Sequence, residues 1–419
     1  MPDTNESCSA ISPAACMFSG VVMNRIFVVD PVCAMEYGHT LNAIKYFRDM
    51  AANYCNDAVS VASYHLPGTT KEDGIERFFE FQYGFGLKID RRDGERSAFN
   101  AHFLGQSPEG RSTTDFLELI QRHNIGSDDA IMFPGVDYYS LLGIVAVLDT
   151  RAPHTLPLLY IRFIGVLENA ALGLTGEAAF EKCIAVLNAY VQQGRRVSVC
   201  AETPKYAQRL RERLICPVIT VPYFSPEVVP LPAPEKSDRT TFLAGGSARS
   251  DKGFFNLVEI IQKANARAGA ENLHFIVQSL PDSQVAENEV YIRALLSQPN
   301  VTLMAGQVSY DEIIEAFAAS HVALMPYDTA TYAWRGSAML MEAMMFERLV
   351  IAQAGTGFAD QARFYNAGEL VETIDDFAEA ISYLSRVPHR HLHARAAQAR
   401  THYMEDVKTA CDQWLRGTE

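Results

Sequence analysis

The sequence predicts an α/β protein of two domains facing a central cleft. Three observations carry that expectation. Through residues 240–352, short apolar runs alternate with segments of helical period, the pattern of a parallel sheet with helical crossovers. A second β-then-α start lies near the beginning of the chain, at Arg25–Asp30 and Thr40–Ala52. Between the two, Pro222, Pro226, Pro230, Pro232 and Pro234 crowd a stretch that can be neither helix nor central strand and reads as a semi-rigid join. Both halves are therefore expected to be Rossmann-like, with ligand groups gathered at the carboxyl ends of their strands.

Residues 1–22 are expected to be a disordered extension. Ser7–Asn24 carries no charge, but Pro13 and four serines interrupt it, and the charges ahead of it are the acidic Asp3 and Glu6, whereas a signal peptide starts positive. The first domain is placed at residues 23–222. Its opening strand Arg25–Asp30 leads through the loop Pro31–His39 into a helix whose Leu41, Ile44, Tyr46 and Phe47 recur at helical spacing. Gly38 in that loop permits close backbone approach, and His39 sits at the helix start, read either as a group aimed at the cleft or as a helix cap. Further strands are expected at Val59–Ala62, Ala130–Phe133, Leu156–Ile164, Val197–Cys200 and Val218–Val221. Polar or special residues stand beside several of their ends: His65, then Pro134, Gly135 and Asp137, then Arg162, then Glu202. Together with His39, Asp137 and Arg162 are taken as the acceptor-side candidates for catalysis. Gly84 and Gly86, flanking Phe85, are read as a hairpin or bulge.

After the join at 223–239, the second domain is placed at 240–390. Strand Thr241–Ala244 runs into a Gly-Gly turn at Gly245 and Gly246, then Arg249, Lys252 and Gly253, then a helix over Phe254–Ala264. That order aims two cations and backbone amides at one point beyond the strand end, where a diphosphate can sit. Strand Val301–Met304 follows, with a helix begun by Ser309 and carrying Asp311 and Glu312 in its first turn. Strand Val322–Pro326, a loop, helix Ser337–Phe346 and strand Leu349–Ala352 complete the pattern. In the loop, Tyr327 and Trp334 are candidates for stacking on a base or sugar, and the amides of Arg335, Gly336 and Ser337 face the helix start. Residues 391–419 are expected to be a helical tail. His389 and His393 have i, i+4 spacing, but no acidic or cysteine partner is in register, so they are read as a solvated face and no metal site is expected.

These residues resemble the donor half of nucleotide-sugar glycosyltransferases of the GT-B fold, and among them the retaining group 1 family, often called family 4, of bacterial polysaccharide synthesis. The resemblance is strong from about Phe242 onward and loose before it. It implies a GT-B fold, with the tail crossing back to the first domain, where Trp414 would find an apolar surface. It also implies transfer of a sugar from a nucleotide diphosphate sugar to a hydroxyl on a saccharide or lipid-linked acceptor. No metal or other cofactor is implied. In that family a Gly-Arg pair followed by Lys-Gly holds the donor diphosphate, and two Glu residues eight positions apart hold the sugar and the ribose. Lys252 and Gly253 match the Lys-Gly, and Glu342 matches the second Glu. The chain departs from the pattern at Gly246, where the family has Arg, and at Trp334, where it has the first Glu. Arg249 is placed to supply the missing cation. Two other readings stay open: an accessory subunit of the same fold that binds without catalysis, and a sugar-nucleotide epimerase.

Composition narrows the class. The chain has 419 residues, 48% hydrophobic and 21% charged, enough for two full cores. A formal charge of −14 and the lack of any Lys/Arg block speak against nucleic acid as a partner. Eight cysteines without a CxxC pair are read as free thiols in a reducing cytoplasm, and no run long and apolar enough to span a membrane is present. A cytoplasmic enzyme is expected, with room for peripheral contact at the inner face of the membrane. A GxGxxG fingerprint is absent, which argues against a dinucleotide-dependent redox enzyme.

Overall fold

Alternation along the first strand sorts its side chains onto two faces: Ile26 and Val28 join one core, Phe27 and Val29 another. This strand, β1 (Met23–Asp30), lies third in a seven-stranded parallel sheet in the computed structural model, which describes residues 23–34, 39–64, 74–83, 87–88, 106–167, 175–222, 229–232, 234, 238–281, 285–305 and 308–416. Its companions are β2 (Cys55–Ser63), β3 (Ile75–Phe79), β4 (Asp129–Phe133), β5 (Leu158–Phe163), β6 (Val197–Ala201) and β7 (Val218–Thr220), in the order β3-β2-β1-β4-β5-β6-β7. Strand order reverses direction at β1, so a crevice opens outside the carboxyl ends of β1 and β4. Helices α1 (His39–Ala51), α2 (Pro108–His123), α3 (Tyr138–Asp149), α4 (Gly176–Gln192) and α5 (Pro204–Arg211) cover the faces.

The second sheet repeats the plan. It consists of β8 (Thr240–Ala244), β9 (Leu273–Pro281), β10 (Val301–Ala305), β11 (Val322–Met325), β12 (Leu349–Gln353) and β13 (Gly368–Val371), in the order β10-β9-β8-β11-β12-β13, with the short strand Ser247–Ala248 pairing the end of β9. Its helices are α6 (Leu257–Ala268), α7 (Val285–Leu296), α8 (Tyr310–Ala319), α9 (Ala338–Met345), α10 (Gly357–Phe364) and α11 (Ile374–Leu384). Ser309 and Glu312 cap α8 reciprocally, as their spacing predicts. The helix expected from Phe254 starts later: Phe254–Asn256 is a 3₁₀ turn and α6 begins at Leu257.

A single 28-residue helix, α12 (His389–Arg416), returns to the first domain. Trp414 is fully buried there, edge-on to Phe47 and Tyr160 at 5.9 and 5.7 Å between ring centroids. Ser198 Oγ donates to Trp414 O at 2.9 Å, and Trp414 Nε1 donates to Ser198 O at 3.3 Å. One apolar core thus runs from Phe47 through Tyr403 to Met344 and joins both sheets. The expected solvated face at the start of α12 is corrected here. The rings of His389 and His321 stand 3.9 Å apart, His389 Nε2 is 3.0 Å from Thr240 Oγ1, and His393 pairs with Glu347 at 3.4 Å. Burial holds His321 down at about 3, a neutral packing group.

Six cysteines are free thiols among the described residues, and none of the described helices is long and apolar enough to cross a membrane. Residues 1–22, Gly38, His65, Gly84, Gly86 and most of 223–239 lie outside the described residues. So does the side chain of His39, whose backbone begins α1.

Candidate active site between the domains

The loop after β8 is shaped by a close backbone approach. Gly253 has φ +69°, and a Cβ there would collide with the carbonyl of Pro326 at the end of β11, so only glycine lets the loop lie on its neighbour. The packing presents Lys252, whose Nζ lies 5.4 Å from the ring centroid of Tyr327 and makes no ion pair among the described residues. Gly246 supports it from below: its N donates to Gln278 Oε1 at 2.6 Å, and its Cα borders the Lys252 amine. Arg249 is differently placed from the expectation of two matched cations. It forms a two-pronged pair with Asp251, Nε to Oδ1 at 2.8 Å and Nη2 to Oδ2 at 2.5 Å, so its charge is largely met within the loop.

In the loop between β11 and α9, Tyr327 is buried in an aromatic group with Tyr332 and Phe358. Trp334 is not available for stacking on a ligand in the cleft. Its ring lies on the first domain, 6.1 Å from Tyr206, with Arg209 and Lys205 over it at 4.7 and 5.3 Å. Cation–π attraction and cover of the first domain's core hold it there. The neighbouring backbone is anchored likewise: Thr203 Oγ1 donates to Trp334 O at 2.9 Å and Arg335 Nε to Gly165 O at 3.1 Å. The Gly336 amide, expected to face a phosphate, donates to Glu202 Oε2 at 3.1 Å. Ser337 caps α9 through its hydroxyl. Glu342, one turn further on, is half-buried and does not line the cavity; burial pushes its carboxyl up to about 7, against the pull of Lys252.

The opposite wall comes from the first domain. Asp137 caps α3, Oδ1 accepting from Tyr139 N at 2.8 Å and Ser140 N at 3.0 Å, while Ser140 Oγ donates to Oδ2. Arg162 is buried and spent on three acceptors: Val221 O at 3.0 Å, Pro134 O at 2.9 Å and Glu202 Oε1 at 3.1 Å. It is a bracket for Glu202 more than a free cation. Asp30, at the end of β1, accepts from Val32 N and Cys33 N at 2.9 and 3.1 Å through Oδ1. Burial, helped by the charge of Asp137, pushes Asp30 up to about 7.

Between the walls lies a cavity of about 480 Å³. Asp30, Thr40, Asp137, Arg162 and Glu202 border it from the first domain, and Arg249, Lys252, Tyr327, Arg335, Gly336 and Ser337 from the second. Its size suits a nucleotide-sized ligand. Sequence reasoning passes over Asp30, which closes β1, and notes Glu202 beside the end of β6 without taking it as a catalytic candidate, although the strand-end rule points to both.

Residues 232–402 match the model of the family described as glycosyl transferases group 1. Solved structures share the whole two-domain arrangement. TarM superposes with a TM-score of 0.66 at 11% identity, covering 94% of this chain and 99% of that one. Sucrose-phosphate synthase from Thermosynechococcus elongatus gives 0.65 at 15% identity, over 93% and 97%. Anabaena HepE in complex with UDP and glucose gives 0.60 at 13%, over 93% and 98%. A S. aureus TarM mutant is matched over 59% of its own chain. None of the curated proteins matches in sequence. At these identities the structural likeness is one of fold, and the family match supplies the chemistry. The second domain is a group 1 glycosyl transferase domain, and the chain as a whole has the GT-B fold.

Proposed function

We propose that this glycosyltransferase moves a hexose from a uridine diphosphate sugar to a hydroxyl of a saccharide or lipid-linked acceptor, in polysaccharide or glycoconjugate synthesis. The observation that carries the reading is Lys252, a cation without an ion pair among the described residues, facing a cavity walled by both domains. Transfer needs the leaving diphosphate stabilised and water kept out. Lys252 meets the diphosphate charge, with Arg335 on the same wall of the cavity; a ribose role for Glu342, which stands behind that wall, would need the helix start at Ser337 to shift on binding. Uridine is chosen because HepE and a TarM mutant were each solved with UDP and a trehalose-phosphate synthase is described as UDP-forming. Protein cations serve in place of a metal, so activity should persist in EDTA. A saccharide acceptor enters along Asp30, Thr40 and Asp137. The enzyme works in the cytoplasm, with peripheral membrane contact when the acceptor is lipid-linked.

A thermal-shift panel of UDP, GDP and ADP tests the donor assignment, because a ligand at 100 times its Kd stabilises by about 2.7 kcal/mol. UDP should raise the melting temperature most. No shift with any of the three would sink the reading, and UDP binding with no nucleotide release under any acceptor would leave an accessory binding protein.

A further inference from the structure

Glu202 belongs to the first domain yet touches the loop of the second. Its side chain is 13% exposed and borders the interdomain cavity. Gly336 makes the approach possible, because a Cβ at that position would collide with the Glu202 carboxyl. Arg162, buried beneath, fixes the other oxygen. An ionised carboxylate has about four acceptor sites on its two oxygens. Arg162 and Gly336 each take one, which leaves roughly two for whatever fills the cavity.

The chemistry of that occupant follows from the walls. Among the described residues, the second domain contributes cations, aromatics and amides to the cavity but no carboxylate. The first domain contributes three: Asp30, Asp137 and Glu202. Asp137 already accepts three hydrogen bonds from its own helix. Asp30 is tied to the loop after β1, away from the contact between the domains. Glu202 alone of the three meets the donor-side backbone. A diphosphate would be repelled there, whereas a polyol offers several O–H donors to a fixed acceptor and suffers no charge penalty.

We infer that Glu202 holds hydroxyl groups of the donor sugar, so that the acceptor domain, across the interdomain contact at Gly336, reads the identity of the transferred hexose. The inference rests on the uridine diphosphate sugar reading. Sugar recognition and the approach of the two domains then become one event: a hexose that satisfies Glu202 also stabilises the closed cleft, while UDP alone does not.

The test is calorimetric titration without acceptor. UDP, UDP-glucose, UDP-galactose and UDP-N-acetylglucosamine are titrated into wild type, Glu202→Gln and Glu202→Asp. Wild type should prefer at least one sugar conjugate over UDP. In Glu202→Gln that preference should fall at least tenfold while the Kd for UDP changes less than threefold. Because the substitution also disturbs Arg162, the wild type is titrated in parallel with singly deoxyfluorinated analogues of the preferred conjugate. One analogue should lose tenfold or more in wild type and nothing further in Glu202→Asp, whose shorter side chain keeps the charge but not the reach. An unchanged ratio of sugar conjugate to UDP in the variants, or a wild type that binds UDP without preferring any conjugate, overturns the inference and leaves the donor reading standing. A wild type that binds none of the four ligands overturns both.

Discussion

On the donor side of the cavity, Lys252 and Arg335 have no carboxylate partner among the described residues, while on the acceptor side Arg162 and Asp137 each make three hydrogen bonds within the protein itself. The first arrangement leaves charge available to an incoming anion. The second is a rigid wall whose polar groups hold shape, with Glu202 presented at its rim. Substitutions should therefore be felt in different measurements, Lys252 on the donor side in affinity and Arg162 on the acceptor side in stability.

The largest effect is expected from Arg162→Leu. Removing one partner of a buried ion pair costs about 3–5 kcal/mol, because Glu202 and two backbone carbonyls lose their donor. Urea denaturation should show it in the first domain's transition. A cost under about 1 kcal/mol would mean that this wall is not self-supporting.

Lys252→Ala should do the reverse. UDP affinity should weaken by about 1.5–3 kcal/mol, the range for hydrogen bonds to charged groups, with stability within about 0.5 kcal/mol of wild type. Calorimetry and a urea melt on the same sample separate the two. Unchanged affinity in the folded variant would remove Lys252 from the site.

The smallest effect compares two carboxyls, Asp30, buried on the acceptor side, and Glu342, half-buried behind the donor side, each pushed up to about 7. Between their ordinary values near 4 and about 7, the folded chain keeps protons that the unfolded chain has released. Stability from these groups is therefore present at low pH and is lost as pH rises through about 7. Asp30→Asn should flatten the fall between pH 5 and pH 8 by about 1.4 kcal/mol or more, the equivalent of one pKa unit. Glu342→Gln should remove a further part. Parallel stability profiles for wild type and Asp30→Asn would show that Asp30 keeps its ordinary carboxyl value.

Much of the fold is legible because β1 and β8 each carry a short apolar run, Ile26–Val29 and Phe242–Ala244, followed by helical periodicity, which is how a parallel strand buried on both faces reads. β9 and β3 escape that reading. His274 and Gln278 interrupt β9, and Glu76 and Arg77 sit inside β3, an edge strand where polar residues cost little. Lys252, Gly253 and the loop to Ser337 are local features, so spacing along the chain finds them. The contact of Glu202 with Gly336, and the turn of Trp334 onto Tyr206 and Arg209, depend on how two distant segments meet. Trp334 in particular was open to reading as a stacking platform, since nothing in its neighbours along the chain says which domain its ring will face.

The return of α12 has a consequence for how the protein is made. Phe47 and Tyr160 leave the ribosome well before Trp414, the residue that covers them. At ~5–20 residues per second the interval is on the order of ten seconds or more. Through that time the nascent first domain exposes the apolar face that α12 later seals, a natural station for a chaperone until Trp414 displaces it.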